Sequence, residues 1–151
     1  MTTTGGKAFV DTNVFLRANI VGMDGYTECD ALIKRYWREG AELWISGQVI
    51  REFLVQVTHP NTMKTPLAIE EVVALLRAVI SLFRVADETT AVRAELLNLL
   101  VAYPAKGKQV HDANLVATTL VYGIDTLLTI NVDDLKRFKD RIALVSAGNA
   151  P

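Results

Sequence analysis

Short apolar runs alternate with longer segments of helical periodicity along this 151-residue chain, and few folds accept such a pattern. Strands are expected over residues 7–10, 43–45, 83–86, 127–130 and 142–145. Helices are expected over 11–20, 26–39, 46–57, 68–80, 87–103 and 110–122, with a short one at 133–138. Local signals mark the boundaries. Gly40 and Gly123 stop their helices, and Ser46 and Asp87 are suited to cap the ones that follow. Thr65 as N-cap with Pro66 in the first helical position would open the helix that carries Val72, Leu75, Leu76 and Val79 on one face. This alternation implies the α/β class, with a central, mostly parallel sheet flanked by helices. No repeat, low-complexity stretch or linker divides the chain, so one domain is expected over 1–151, its core at about 7–145 and its ends, 1–6 and 146–151, loose.

Composition narrows the function classes. Half of the residues are hydrophobic, enough for a sizeable core. The 16 Lys+Arg nearly balance the 17 Asp+Glu, so any nucleic-acid affinity must come from a local patch rather than an overall basic charge. The single cysteine, Cys29, allows no internal disulfide and no multi-cysteine zinc site; it reads as a small buried hydrophobe in a reducing compartment. No apolar run approaches the roughly 18 residues of a membrane span, and a polar start carries no signal-peptide pattern. A soluble cytoplasmic protein is expected.

In parallel sheets, sites form beyond the carboxyl ends of the strands. Asp11 ends the first strand and opens the first helix, where it can cap the turn or line such a site, with Asn13 two residues on. Asp112 shares a helix face with Leu115, Val116, Thr119 and Leu120, so it points toward the core from the first turn. A buried carboxylate there needs a cation, a hydrogen-bond network or a raised pKa, although capping and the helix dipole also favour an acid at that end. Glu52 lies with Gln48 and Gln56 opposite the stripe of Ile50, Phe53, Leu54 and Val57; solvent or a cleft would produce the same pattern. Asn131, Asp133 and Asp134 follow another strand and compete with ordinary capping. Acids converging on one rim repel unless a divalent cation neutralises them, and oxygen-only donors favour Mg2+ or Mn2+ over zinc.

Four stretches then resemble, in order, the signature blocks of PIN-domain ribonucleases, in particular the VapC toxins of bacterial toxin–antitoxin pairs: VDTNVFL, SGQVIREFL with Glu52, KQVHDANLVAT and LLTINVDDLKRF. The likeness runs over about residues 9–138. It implies a PIN-like three-layer fold with the first strand at the sheet's centre and an acidic pocket at the strands' carboxyl ends. Asp11 and Asp112 would be the principal metal ligands, and Glu52 the next acid, acting directly or through water. Asp134 matches the fourth acid, but Leu135 stands where the family usually has Phe, and Asp133 is a second candidate. Thr12, Asn13, Thr129 and Asn131 match polar residues lining the pocket.

The resemblance further implies a metal-dependent endoribonuclease, inhibited by a cognate antitoxin and commonly a homodimer. A degenerate PIN domain that binds RNA or protein without cutting is the alternative, and an RNA-processing role would keep the same chemistry. Lys106 and Lys108, just before Asp112, would hold RNA phosphates or sit in a solvated loop, and Lys136, Arg137, Lys139 and Arg141 offer the same choice. His111 reads as a capping or supporting residue rather than a general acid, and His59 as solvated. A dinucleotide fold is excluded by the lack of a glycine-rich turn in DTNVFL, and a haloacid-dehalogenase-like phosphatase would need an acid where Asn13 stands.

Overall fold

The computed structural model describes residues 5–147. In strand β1 (Lys7–Val10), Ala8, Phe9 and Val10 are all buried. Successive side chains point to opposite faces, so a strand buried at every position is covered on both. Leu127 and Leu128 of β4 (Thr126–Thr129) are buried in the same way. The remaining strands are β2 (Glu42–Ser46), β3 (Arg84–Ala86) and β5 (Ala143–Ser146). All pair in parallel in the order β3-β2-β1-β4-β5, which puts β1 at the centre.

Seven α-helices flank this sheet among the described residues: α1 (Thr12–Asn19), α2 (Tyr26–Arg38), α3 (Gly47–Thr58), α4 (Ile69–Ile80), α5 (Thr90–Ala102), α6 (Gln109–Val121) and the short α7 (Val132–Leu135). A 3-10 turn, Lys136–Phe138, continues α7. The α/β expectation therefore holds, with every expected strand and helix present near its expected position. One side of the core is aromatic: Phe15 meets Phe53 and Phe83 edge-on, with ring centroids 5.3 and 5.4 Å apart, and Trp37 leans on Phe83. Cys29 is buried in that core, and burial pushes its thiol up to about 11, so it is an inert packing group.

Three boundaries differ from expectation. Helix α4 begins at Ile69 behind Ala68, so Thr65 and Pro66 lie in the preceding loop, where the Leu67 amide is already bonded back to the Val57 carbonyl at 3.1 Å. Helix α5 is capped by Thr89, whose hydroxyl accepts from Val92 N–H, rather than by Asp87. The Asp87 amide and carbonyl are both held by the Tyr122 hydroxyl, at 2.9 Å each, which fixes that residue outside the helix. Finally, the tail does not loosen at residue 146. Ser146 belongs to β5, and Ala147 is buried, its N–H donating to Thr129 O at 3.1 Å. The rest of that tail, like residues 1–4, lies outside the described residues.

Candidate active site

The chain runs outward from β1 to β2 and β3, then returns to add β4 and β5 on the other side of β1. The crevice at such a reversal, beyond the carboxyl ends of the two strands, is where open α/β sheets bind ligands. Asp11 stands there. It follows β1 in an extended conformation, with its amide donating to Leu128 O of β4 at 3.0 Å, and it is the N-cap of α1. Its Oδ1 accepts the Thr12 amide at 2.7 Å, and its Oδ2 accepts the Thr129 hydroxyl at 2.8 Å. One oxygen thus caps the turn while the other ties the carboxylate to the end of β4. The side chain is nearly enclosed, at 9% exposure. Burial pushes its carboxyl above the usual carboxylate range; the bonds from Thr129 and Thr12 oppose this, while the charges of Glu52 and Asp134 add to it.

Strand β2 passes into α3 without a loop, because Ser46 ends the strand and caps the helix through Val49 N–H. Two and six residues further on, Gln48 and Glu52 lie one turn apart on the same side of α3. Glu52 is half-buried: its Oε1 accepts the Thr12 hydroxyl at 2.5 Å and its Oε2 accepts Gln48 Nε2 at 3.2 Å. Glu52 therefore does not sit on a fully solvated face; it is half-buried against Thr12 and Gln48.

Asp112 sits in the first turn of α6 and does not cap it; the helix begins behind Lys108 with no side-chain cap. Among the described residues, no donor hydrogen-bonds its half-buried carboxylate. Its pKa rises from the ordinary 3.8 to about 6, chiefly through burial, then through the charges of Asp11, Asp134 and Glu52, with Arg137 opposing. Four acids from four different elements therefore act on one another at one rim. Asp134 reaches both buried acids electrostatically although it is exposed. Asp133 does not figure among those charges; its side chain is 94% exposed and lies 3.7 Å from Lys136 Nζ.

Among the described residues, no three of His, Cys, Asp and Glu close into a ready-made metal cage. Magnesium does not require one, since it keeps several waters and takes one or two carboxylates directly. The donor set fits such an ion: it is all oxygen, and burial together with neighbouring acids raises the carboxyls of both Asp11 and Asp112.

The other expected site residues fall as follows. Thr12 is buried and joins Asp11 to Glu52. Thr129 is fully buried and also accepts the Asn131 amide at 2.9 Å. Asn13 lines a neighbouring cleft of about 780 Å3, with Gln56, Arg17 and Lys64 on its walls. Lys106 and Lys108 are exposed in the loop leading into α6. His111 is exposed, and His59 is exposed with its Nδ1 accepting Asn61 N–H at 3.0 Å.

Three residues matter here beyond the expected acids and pocket lining; the sequence offers Arg137 only within a basic run and Gln48 only as a neighbour of Glu52 on its helix face. Arg137 is half-buried, tied to Pro104 O and Gln109 Oε1, and is the cation that acts on Asp112. Gln48 is buried, with its amide also bonded to His111 O and to Asn114. Asn114 lies two residues after Asp112, and only that adjacency signalled it.

The geometry agrees with comparison to known proteins. A family model of the PIN domain matches residues 8–140. Among curated proteins, none matches this sequence. Several solved structures share the fold. VapBC2 from Rickettsia felis bound to promoter DNA is 19% identical, with 93% of this chain and 98% of that chain covered and a TM-score of 0.64. FitAcB from Neisseria gonorrhoeae is 15% identical, covering 93% and 97%, with a TM-score of 0.68. The sarcin-ricin loop cleaving toxin VapC20 of Mycobacterium tuberculosis is 19% identical, covering 80% and 86%, with a TM-score of 0.58. With a parallel sheet centred on β1, acids gathered at its carboxyl rim and a family match over most of its length, the chain belongs to the PIN domain family.

Proposed function

We propose that this chain is a metal-dependent endoribonuclease and the toxin of a toxin–antitoxin pair, acting in the cytoplasm. The observation that carries the proposal is the pairing of Asp11 and Asp112, two carboxyls pushed up by burial and flanked by Glu52 and Asp134. A fold keeps such charges together at a cost to its stability, and a divalent cation offsets that cost. Asp11 and Asp112 are the residues that would hold Mg2+ or Mn2+. Bound there, the ion would supply Lewis-acid polarisation of a phosphodiester and a lowered pKa for an attacking water.

The chain's own groups divide the remaining work. Thr129 and the Thr12 amide fix the Asp11 carboxylate, and Thr12 and Gln48 hold the two oxygens of Glu52. Glu52 or Asp134 orients the attacking water and accepts its proton. Arg137, Lys106 and Lys108 supply positive charge for RNA phosphates beside the acids. That VapC20 is a sarcin-ricin loop cleaving toxin supports RNA as substrate, and likeness to a toxin–antitoxin complex from Klebsiella pneumoniae supports an antitoxin partner. Exposed Leu97 and Val101 on α5 leave apolar surface for a partner chain or a second copy.

The test is a cleavage time course on structured RNA with purified, antitoxin-free protein in Mg2+, Mn2+ or EDTA, with Asp112→Asn in parallel. Metal-dependent cleavage that is lost in the variant is the expected result. Cleavage that persists in EDTA or in the variant would overturn the assignment, and no cleavage by the wild-type protein would favour a binding-only PIN domain.

A further inference from the structure

We propose that Gln48 is a positioning residue of the acidic site: its amide locks the helix bearing Glu52 to the first turn of the helix bearing Asp112, and so sets the spacing of those two acids. What that spacing serves rests on the nuclease proposed above; the lock itself rests on the bonds alone.

Gln48 is 6% exposed, and a buried primary amide is tolerated only when its polar atoms are paired. Here they are. Nε2 donates to Glu52 Oε2 at 3.2 Å and to the His111 carbonyl at 3.0 Å; Oε1 accepts from Asn114 Nδ2 at 2.8 Å. Both N–H groups are used, so the amide has one orientation. Turned over, it would set its oxygen against a carboxylate and a carbonyl and its N–H groups against those of Asn114.

These bonds carry weight because little else joins the two helices. Helix α3 packs on α1, α4 and β2, whereas α6 packs on α5 and α7. The helices meet at the crevice across polar side chains, and among the described residues only Gln48 bridges them directly. A looser second path runs over the surface: Asn114 Nδ2 also donates to Glu88 Oε1 at 3.2 Å, and Arg51 Nη2 of α3 approaches that oxygen at 3.4 Å. That ion pair is exposed and contributes little.

Glu52 is therefore held from two directions. Thr12 takes the oxygen on the Asp11 side and Gln48 takes the oxygen on the α6 side. Removing Gln48 frees one Glu52 oxygen and releases the carbonyl one residue before Asp112. The aromatic core beneath, built on Phe15, Phe53 and Phe83, is untouched.

The experiment uses Gln48→Met, which keeps length and apolar bulk and removes all three bonds. Mn2+ affinity of the metal-free protein, RNA cleavage and amide exchange at residues 112–116 are measured against wild type. The variant is expected to fold, to bind Mn2+ at least about tenfold more weakly, and to lose a similar factor in kcat, as partners that orient metal ligands commonly do. KM for RNA stays unchanged, and exchange in α6 quickens. If affinity, kcat and exchange all match wild type while only the melting temperature falls, Gln48 is merely structural and the proposal is overturned. Should Gln48→Met fail to fold, Asn114→Ala decides, since it removes one of the amide's two bonds to α6 and leaves those to His111 O and Glu52; the same shifts in smaller measure support the lock and none refutes it. Should wild type neither bind Mn2+ nor cut RNA, the nuclease assignment is what fails, and exchange in α6 still decides whether Gln48 locks the helix.

Discussion

Buried Asp11 and half-buried Asp112 are held in opposite ways. Asp11 is built into the sheet: its backbone is bonded to β4, and each carboxylate oxygen accepts a hydrogen bond. Asp112 is carried by a helix whose nearest link to the other acids is one glutamine, and its own carboxylate accepts no bond among the described residues. The sheet junction is a fixed anchor, while the place of the α6 turn depends on its surroundings. Preorganised and adjustable donors thus face each other across one crevice, an arrangement suited to an ion that keeps part of its water shell.

Replacing either acid by its amide is expected to have the largest effect. Asp11→Asn and Asp112→Asn each remove a charge that would hold the metal. Cleavage should fall by about a thousandfold or more, the loss of several kcal/mol of charge stabilisation. Stability in EDTA separates the two. Asp112→Asn relieves repulsion and breaks no bond, so it should melt above wild type. Asp11→Asn turns an NH2 toward one of two donors, Thr12 N–H or the Thr129 hydroxyl, and should melt below Asp112→Asn. Identical melting temperatures would erase the distinction between anchor and adjustable ligand.

Thr129→Val probes the anchor from beneath. The hydroxyl is fully buried, donates to Asp11 and accepts from the Asn131 amide, so an apolar isostere leaves both partners unpaired. A loss of about 2 kcal/mol is expected in chemical denaturation. The Asp11 carboxyl should also titrate higher, because the bond that opposes its upward shift is gone. No hydroxyl plays this part for Asp112, so no comparable substitution exists there.

How much of this was legible depends on which interactions are local. Asp11 and Asp112 could be read because a strand end and a helix face fix where a side chain points. Glu52 could be read only halfway: periodicity shows which side opposes the apolar stripe, but not whether water or another helix meets it. Gln48 shares that side and is buried through bonds to residues 63 and 66 positions away, which no local pattern contains. The cap of α5 failed for a similar reason. Asp87 is as good a cap as Thr89 by type, but Tyr122, 35 residues on, claims its backbone. Strand β5 outran its apolar run because pairing with β4 continues to Ser146 whatever the side chain.

The pH dependence of the metal-free protein follows from Asp112. Its carboxyl titrates ordinarily at 3.8 and in the fold at about 6, so between those values the folded chain retains a proton that the unfolded chain has released. Stability in EDTA should therefore be greatest below about pH 4 as far as this group is concerned, and fall as pH rises to about 6. Because the side chain is only half-buried, water screens the effect to about 1 kcal/mol. Asp11, shifted the same way, adds to the trend. Saturating Mn2+ should reverse the slope, since an ion binds the deprotonated acids and stabilises whatever holds it. Denaturant midpoints at pH 4.5 and 7, for wild type and Asp112→Asn, isolate this contribution; equal slopes in the two proteins would remove Asp112 as its source.

The smallest effect separates two neighbours. Asp134 lies close enough for its charge to act on both buried acids, yet it is exposed, so Asp134→Asn should slow cleavage by only about fivefold, the scale of a screened surface charge. Asp133→Asn should leave the rate unchanged, because that side chain is 94% exposed and lies beside Lys136. The pair tests whether electrostatic reach or sequence adjacency defines the fourth acid. A larger loss at Asp133 would mean that α7 turns when RNA or metal binds. The adjustable part of the site would then extend from the first turn of α6 to α7 and the 3-10 turn that follows it, leaving only the β1–α1 junction as anchor.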